Sequence, residues 1–282
     1  MWTSALPAVW RRFMVAGIFA LAVCAAVAPR PSAQTGGRLN RLIANLEQGK
    51  PVINGQDFRF FDMEHSPFQM DRLEAFLAEV SKDRDEGGRI RMTPVVRIPQ
   101  EGDEDFRWSV KQLLDSGVQG VVFPHIESKE QALRAVRAMR YPPQSYTKQP
   151  EPRGERGFGP TRAVRLWGLS QPEYLRRADV WPLNPEGELF AVIMIETAEG
   201  VKNVRDILQA PGIGAVFLAP YDLAMSLGIG PPPSKDPKLE EAYQTVLKAC
   251  LAQKTVICGC ADFNAKMKQR LSEGFRYFLP LG

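Results

Sequence analysis

The chain carries only two histidines, and both follow short apolar runs: His65 ends the string Asp62-Met63-Glu64-His65, and His125 comes directly after Pro124. Other chemical residues occupy the same kind of place. Arg97 lies at the end of the run Pro94 to Ile98, Glu196 follows Ala191 to Ile195, and Asp222 follows Ala215 to Pro220. Glu196 and Asp222 have no histidine or thiolate beside them in sequence, which makes a hard-oxygen pair suited to Mg²⁺ or Mn²⁺, with water and substrate completing the shell. Each also has a plain structural reading. Glu196 and Asp222 both precede helical stretches they could cap, a lone histidine is more often structural than catalytic, and Arg97 could simply pair with an acid inside the fold.

The elements that would position these residues alternate between strand and helix. Eight apolar runs rich in Val, Ile and Phe occur: Val52-Ile53, Phe58 to Met63, Pro94 to Ile98, Gly120 to Pro124, Ala191 to Ile195, Ala215 to Pro220, Thr255 to Cys258 and Tyr277 to Leu281. Amphipathic stretches separate most of them, at Met70 to Lys82, Asp105 to Asp115, Lys129 to Met139, Gly200 to Gln209, Leu239 to Gln253 and Asn264 to Ser272. That alternation predicts an α/β fold with a parallel sheet, and eight strands suit a closed (β/α)₈ TIM barrel. Gly117, Gly212 and Gly274 stand where they could end a helix before the next strand. In such barrels the site lies at the C-terminal ends of the strands, which is where the histidines, Arg97, Glu196 and Asp222 fall. The stretch Tyr141 to Gly168, rich in proline, glycine and arginine, reads as one long loop over the site. Only Gly55 to Asp57 separate the first two runs, and the chain stops at Gly282 after the eighth. The first and last helices are therefore expected to be abbreviated or missing, with the resulting gap covered by a helix over Arg38 to Gln48 or by a partner subunit.

The first 33 residues differ. Arg11 and Arg12 precede an apolar run from Phe13 to Ala28, followed by Pro29, Pro31 and Ser32-Ala33. This is the layout of a signal peptide, with residues 34–282 as a single barrel domain exported to the periplasm or secreted. The run is shorter than the roughly 20 residues of a spanning helix, so no membrane association is expected after its removal. Leu21-Ala22-Val23-Cys24 gives a lesser alternative of lipoprotein anchoring at Cys24. Removing residues 1–33 takes away three arginines and no acids and lowers the formal net charge from +4 to +1, so the basic balance gives no reason to expect nucleic acid. Cys250, Cys258 and Cys260 would remain, and an odd number gives no disulfide framework; Cys258 and Cys260 read as buried cysteines on one strand face.

Six strings, in order along the chain, resemble the HpcH/HpaI aldolase/citrate lyase family: Phe61-Asp62-Met63-Glu64-His65-Ser66-Pro67, Val96-Arg97, Lys111-Gln112-Leu113-Leu114-Asp115-Ser116-Gly117, Arg140-Tyr141-Pro142-Pro143, Ile195-Glu196-Thr197 and Pro220-Tyr221-Asp222-Leu223. The similarity is greatest to its class II, metal-dependent pyruvate aldolases. The resemblance implies a barrel of the phosphoenolpyruvate/pyruvate-binding type. It implies that Glu196 and Asp222 hold a divalent cation, Mg²⁺ or Mn²⁺ and in some cases Co²⁺, and that a 4-hydroxy-2-oxo acid is cleaved to pyruvate and an aldehyde through a metal-stabilised enolate. It implies further that Arg97 faces the keto oxygen, that His65 paired with Asp115 moves the proton of the C4 hydroxyl, that the backbone N–H groups of Tyr221 and Asp222 receive the pyruvate carboxylate, and that the protein forms homo-oligomers.

Two residues depart from the pattern. Met194 stands where many relatives have glutamine, and Ala219 where they commonly have glycine. Two other readings stay open from sequence: an exported protein that binds an oxo acid and metal on an inactive barrel, and a lyase acting on acyl-CoA thioesters as in the citrate lyase β branch.

Overall fold

The computed structural model describes residues 37–145, 149–232 and 236–281, so the expected signal segment 1–33 and Cys24 lie outside the described residues. All eight apolar runs contain strands, in a series of nine: β1 (Val52–Ile53), β2 (Phe58–Asp62), β3 (Thr93–Arg97), β4 (Gly120–Phe123), β5 (Val180–Trp181), β6 (Leu189–Ile195), β7 (Ala215–Leu218), β8 (Ile257–Phe263) and β9 (Tyr277–Leu281). Every pairing is parallel, in the order β1-β9-β8-β7-β6-β4-β3-β2, and the unforeseen β5 pairs with β6. The ends of this path meet through one bridge between Asn54 and Phe58, reinforced where the Phe60 N–H donates to Asn54 Oδ1 at 3.0 Å. The result is a nearly closed (β/α)₈ barrel.

The strand β8 begins and ends later than the run Thr255 to Cys258, because its Gly259-Cys260-Ala261 segment is too small to register as a strand pattern. Packing requires the glycine. A Cβ on Gly259 would lie 2.8 Å from the Tyr277 ring and 3.0 Å from the Val216 carbonyl oxygen.

The helices are α1 (Arg41–Glu47), α2 (Met70–Val80), α3 (Arg107–Ser116), α4 (Lys129–Met139), α5 (Thr161–Trp167), α6 (Gln171–Arg177), α7 (Ala198–Ile207), α8 (Pro220–Ser226), α9 (Pro237–Gln253) and α10 (Met267–Glu273). Gly117 caps α3 at φ 110° and Gly274 caps α10 at φ 123°, backbone states that favour glycine, while Gly212 (φ 94°) turns the chain a few residues beyond α7. Outward strand residues such as Val96, Val121, Ile193 and Val216 pack beneath the helices in one large core. Inward residues, among them Val95, Val122, Phe190, Val192, Phe217 and Tyr277, fill the barrel itself.

Three expectations are corrected. First, α1 does not cover the gap between β1 and β2. Its Leu42, Ile43 and Leu46 join the core inside the barrel, the Asn40 side-chain amide donates to the carbonyls of Gln119 (3.3 Å) and Glu188 (3.0 Å), and the Leu42 N–H donates to Thr93 Oγ1 (3.0 Å). Those partners lie at the starts of β4, β6 and β3, so α1 plugs the floor of the barrel, the end opposite the expected site. Second, the segment from Tyr141 to Gly168 is not all loop. It ends in α5, where buried Trp167 donates from Nε1 to the Gly117 carbonyl at 2.9 Å, and α6 follows with a capping box between Ser170 and Glu173. Third, Cys250 of α9 and Cys258 of β8 form a disulfide with Cα atoms 5.8 Å apart, leaving Cys260 as a buried free thiol. The odd count hid it, because a helix packing back on its following strand brings one pair together irrespective of the third. Among the described residues no helix is long and apolar enough to cross a membrane.

Candidate active site

The parallel register sets the first contact. Asp62 and Arg97 are direct partners at the ends of β2 and β3. Arg97, buried at 8% exposure, donates from Nε to Asp62 Oδ1 (2.9 Å) and from Nη2 to Asp62 Oδ2 (2.5 Å). Its Nη1 pairs with Glu64 Oε2 at 2.5 Å and lies 3.8 Å from the Met194 sulfur, so a thioether faces the guanidinium on that side. Burial alone would raise the Asp62 carboxyl, but the Arg97 hydrogen bonds win and hold it below the usual carboxylate range. The Arg97 guanidinium itself is disfavoured by burial, yet Asp62 and Glu64 raise its pKa and keep it charged.

Arg97 also orients His65. Its Nη2 donates to His65 Nδ1 at 2.7 Å, which requires Nδ1 to be unprotonated and places the ring proton on Nε2. Two carboxylate oxygens flank Nδ1, Glu64 Oε2 at 3.2 Å and Asp62 Oδ2 at 3.5 Å. The imidazole is open to solvent, with 60% of its side chain exposed.

Glu196 ends β6 and is buried, with 1% exposure. Its Oε1 accepts from the His125 N–H at 2.7 Å, while Oε2 has no hydrogen-bond partner among the described residues. Burial raises the Glu196 pKa against the opposing pull of His125, with Glu64 and Asp222 raising it further. Glu64 is likewise raised, by burial first, despite Arg97. The unpartnered Glu196 oxygen beside Glu64 is a donor set that a divalent cation fits. Two groups among the described residues have ligand atoms all within 4.8 Å of one another: Asp62 with Glu64 and His65, and Glu64 with His125 and Glu196.

Asp222 lies in the first turn of α8, half-buried, and joins neither group, although its charge is felt at Glu196. Tyr221 beside it is 45% exposed. No side chain caps α8, whose N-cap residue is Ala219. Asp115 does not meet His65 within the chain. It sits in the last turn of α3, which runs back from the rim to the floor, and there it pairs with Arg156 Nη2 (2.8 Å) and Lys111 Nζ (2.5 Å). The carboxylates beside His65 are Glu64 and Asp62. Sequence reasoning gave neither a role of its own, although their positions at and just beyond the end of β2 carried the same strand-end signal that picked out His65.

The fold and this acidic, arginine-centred rim define a (β/α)₈-barrel protein of the kind that places its chemistry at the C-terminal ends of the strands. Residues 48–282 match the model of the HpcH/HpaI aldolase/citrate lyase family, and the chain belongs to that family. It is 33% identical over 226 residues, 79% of this chain and 77% of the other, to a hydroxypyruvate/pyruvate aldolase of Paraburkholderia phytofirmans. It is 28% identical over 228 residues (81% and 75%) to a 4-hydroxy-2-oxo-heptane-1,7-dioate aldolase of Klebsiella pneumoniae. The crystal structure of an HpcH/HpaI aldolase from Desulfitobacterium hafniense superposes with a TM-score of 0.70 at 26% identity, covering 86% of this chain and 90% of that one.

Proposed function

We propose that the chain is a class II pyruvate aldolase, a carbon–carbon lyase that cleaves a 4-hydroxy-2-oxo acid between C3 and C4 to give pyruvate, or a related 2-oxo acid, and an aldehyde. The observation that carries this reading is the buried Glu196 carboxylate, one oxygen unpartnered, beside Glu64 and within the field of Arg97. Glu196 and Asp222 would hold a divalent cation, Mg²⁺ or Mn²⁺, and when bound it would draw off the negative charge that develops on the 2-oxo oxygen as the bond breaks.

The chain's own residues do the rest. Arg97, fixed by Asp62 and Glu64, presents a preset positive charge to the same oxygen. His65 manages the hydroxyl proton at C4. In cleavage Nε2 accepts the hydroxyl proton while Nδ1 carries one toward Glu64 Oε2 and Asp62 Oδ2, which takes the place of the contact from Arg97 Nη2. The resulting imidazolium is stabilised by two carboxylates. In the addition direction the imidazolium so formed gives its Nε2 proton back to the new C4 oxygen and Nδ1 keeps its own. The uncapped first turn of α8 leaves the N–H groups of Tyr221 and Asp222 for the substrate carboxylate.

Two wider features belong to this reading. The Cys250–Cys258 disulfide supports export to an oxidising compartment. The exposed, touching rings of Phe68 and Trp108 near the rim support a homo-oligomer, which sedimentation of the purified chain would check.

The test is a coupled pyruvate assay over several 4-hydroxy-2-oxo acids with Mg²⁺, Mn²⁺ or Co²⁺. Release that stops with EDTA and returns with metal is expected. Tight binding of pyruvate or oxalate without turnover of any aldol substrate would instead show a binding protein.

A further inference from the structure

We propose that His125 is a nitrogen ligand in the cation site, binding one divalent ion together with Glu64 and Glu196, and that this donor turns the site's preference from Mg²⁺ toward Mn²⁺, Co²⁺ or Zn²⁺. The inference rests on the aldolase reading only for the presence of a cation at this rim.

The backbone is the first argument. His125 follows β4 with φ 50°, in the left-handed region that non-glycine residues seldom enter. Its own N–H donates to Glu196 Oε1 at 2.7 Å, and the next N–H, of Ile126, donates to the Met194 carbonyl at 3.3 Å. The turn is thus tied to β6 at both residues, and it swings the imidazole over the Glu196 carboxylate.

Distances supply the second. His125 Nε2 lies 3.8 Å from Glu64 Oε1, 3.8 Å from Glu196 Oε1 and 3.9 Å from Glu101 Oε1. All three are too long for hydrogen bonds. They are the separation expected between ligands around one ion, since metal–ligand bonds of about 2.0–2.3 Å put neighbouring ligand atoms roughly 3–4.5 Å apart. Glu64 divides its work accordingly: Oε2 faces Arg97, leaving Oε1 toward His125. The buried Glu196 Oε2, which has no hydrogen-bond partner among the described residues, is the independent sign that these groups leave a place for a cation.

Chemistry gives the selectivity. Mg²⁺ favours oxygen donors and gains little from imidazole, whereas Mn²⁺, Co²⁺ and Zn²⁺ accept it with rising affinity. Glu101, with 64% of its side chain exposed, is left as an outer group rather than a ligand.

The experiment uses the untagged chain, whose only histidines are His65 and His125. Pulsed electron paramagnetic resonance of the Mn²⁺-loaded wild type should show nitrogen hyperfine coupling from a bound imidazole. The coupling should persist in His65→Gln and vanish in His125→Gln. Calorimetry should show Co²⁺ and Mn²⁺ affinity falling about 10–100-fold in His125→Gln, with Mg²⁺ affinity changed by less than about threefold; circular dichroism melts confirm that each variant is folded. Bound Mn²⁺ without nitrogen coupling, or coupling lost only in His65→Gln, overturns the proposal, and the wild-type measurement needs no variant at all. Pyruvate release separates the two ideas: metal-dependent turnover without nitrogen coupling removes the His125 ligand and keeps the aldolase, whereas coupling without turnover on any aldol substrate does the reverse. A wild type that binds no divalent cation overturns both.

Discussion

Arg97 holds Asp62, Glu64 and His65 together with one guanidinium, and lysine cannot reproduce that geometry because it is a single point charge without the planar fork. Arg97→Lys is expected to lower kcat by about 10²–10³-fold, the usual cost of losing one preset donor to a developing oxyanion, and steady-state pyruvate release measures it. Asp115 offers a contrast. Its partners are Arg156 and Lys111, so Asp115→Ala is expected to destabilise the fold by up to about 3–5 kcal/mol, through an unpaired buried Arg156, while the pH profile of kcat in the surviving protein keeps its shape. A displaced profile would mean that Asp115 reaches a site histidine after all. The strand-end rule made His65, Arg97 and Glu196 legible because each follows an apolar run that can only be a barrel strand. It could not say which carboxylate faces His65, since that depends on how far Glu64 and Asp62 turn back toward Arg97, and this is decided by pairing of β2 with β3 rather than by spacing.

At the scale of elements, the short helix α1 is stabilised less by its own propensity than by what it fills. Isolated helices of seven residues do not form in water, yet Leu42 and Ile43 are fully buried inside the barrel and Asn40 caps the helix at Ile43 N–H (3.2 Å). Ile43→Ala should therefore cost about 2–5 kcal/mol, as for other fully buried aliphatic truncations, read from urea unfolding, and a cost below about 1 kcal/mol would place the helix outside the core. Most elements were legible in the sequence, because period and glycine punctuation agree for strands such as Gly120–Phe123 and helices such as Lys129–Met139. The destination of α1 was not, since an amphipathic heptamer carries no information about which of two openings it will close. Nor was α5, whose start has no side-chain cap and whose flanking prolines and glycines resemble loop.

Two features act on the molecule as a whole. The Cys250–Cys258 crosslink closes a loop of 8 residues in sequence separation; loop-closure entropy puts its contribution at roughly 2–3 kcal/mol, so adding a reductant should lower the melting temperature by roughly 5–10 °C. An unchanged melt would show that the two thiols are not joined in solution. The second is the ion cluster around Arg270, which donates to both oxygens of Glu240 at 2.7 Å and to Asp262 at 2.7 Å. These hydrogen bonds hold the Glu240 carboxyl at about 2, below its usual value. A lowered folded-state pKa gives stability that is complete above the ordinary carboxylate range and is lost as pH falls through it toward 2. Glu240→Gln should thus melt below wild type at neutral pH, with the two curves converging near pH 2; parallel curves down to that pH would show that the pair is not formed.

With α1 sealing the floor and side chains packing the interior, the described residues leave the barrel open at the strand ends, and depth there becomes an order in time. Glu196 and Arg97 lie deep, at 1% and 8% exposure, whereas most of the His65 imidazole stands in solvent. On the proposed reading the aldehyde half would form beside His65 and above the 2-oxo acid, so the aldehyde is expected to leave first and pyruvate last, an order that product-inhibition patterns would check. In the addition direction the same reading makes the queue run backwards: pyruvate would enter before its partner, and an excess of aldehyde arriving early would obstruct the enzyme it is meant to feed.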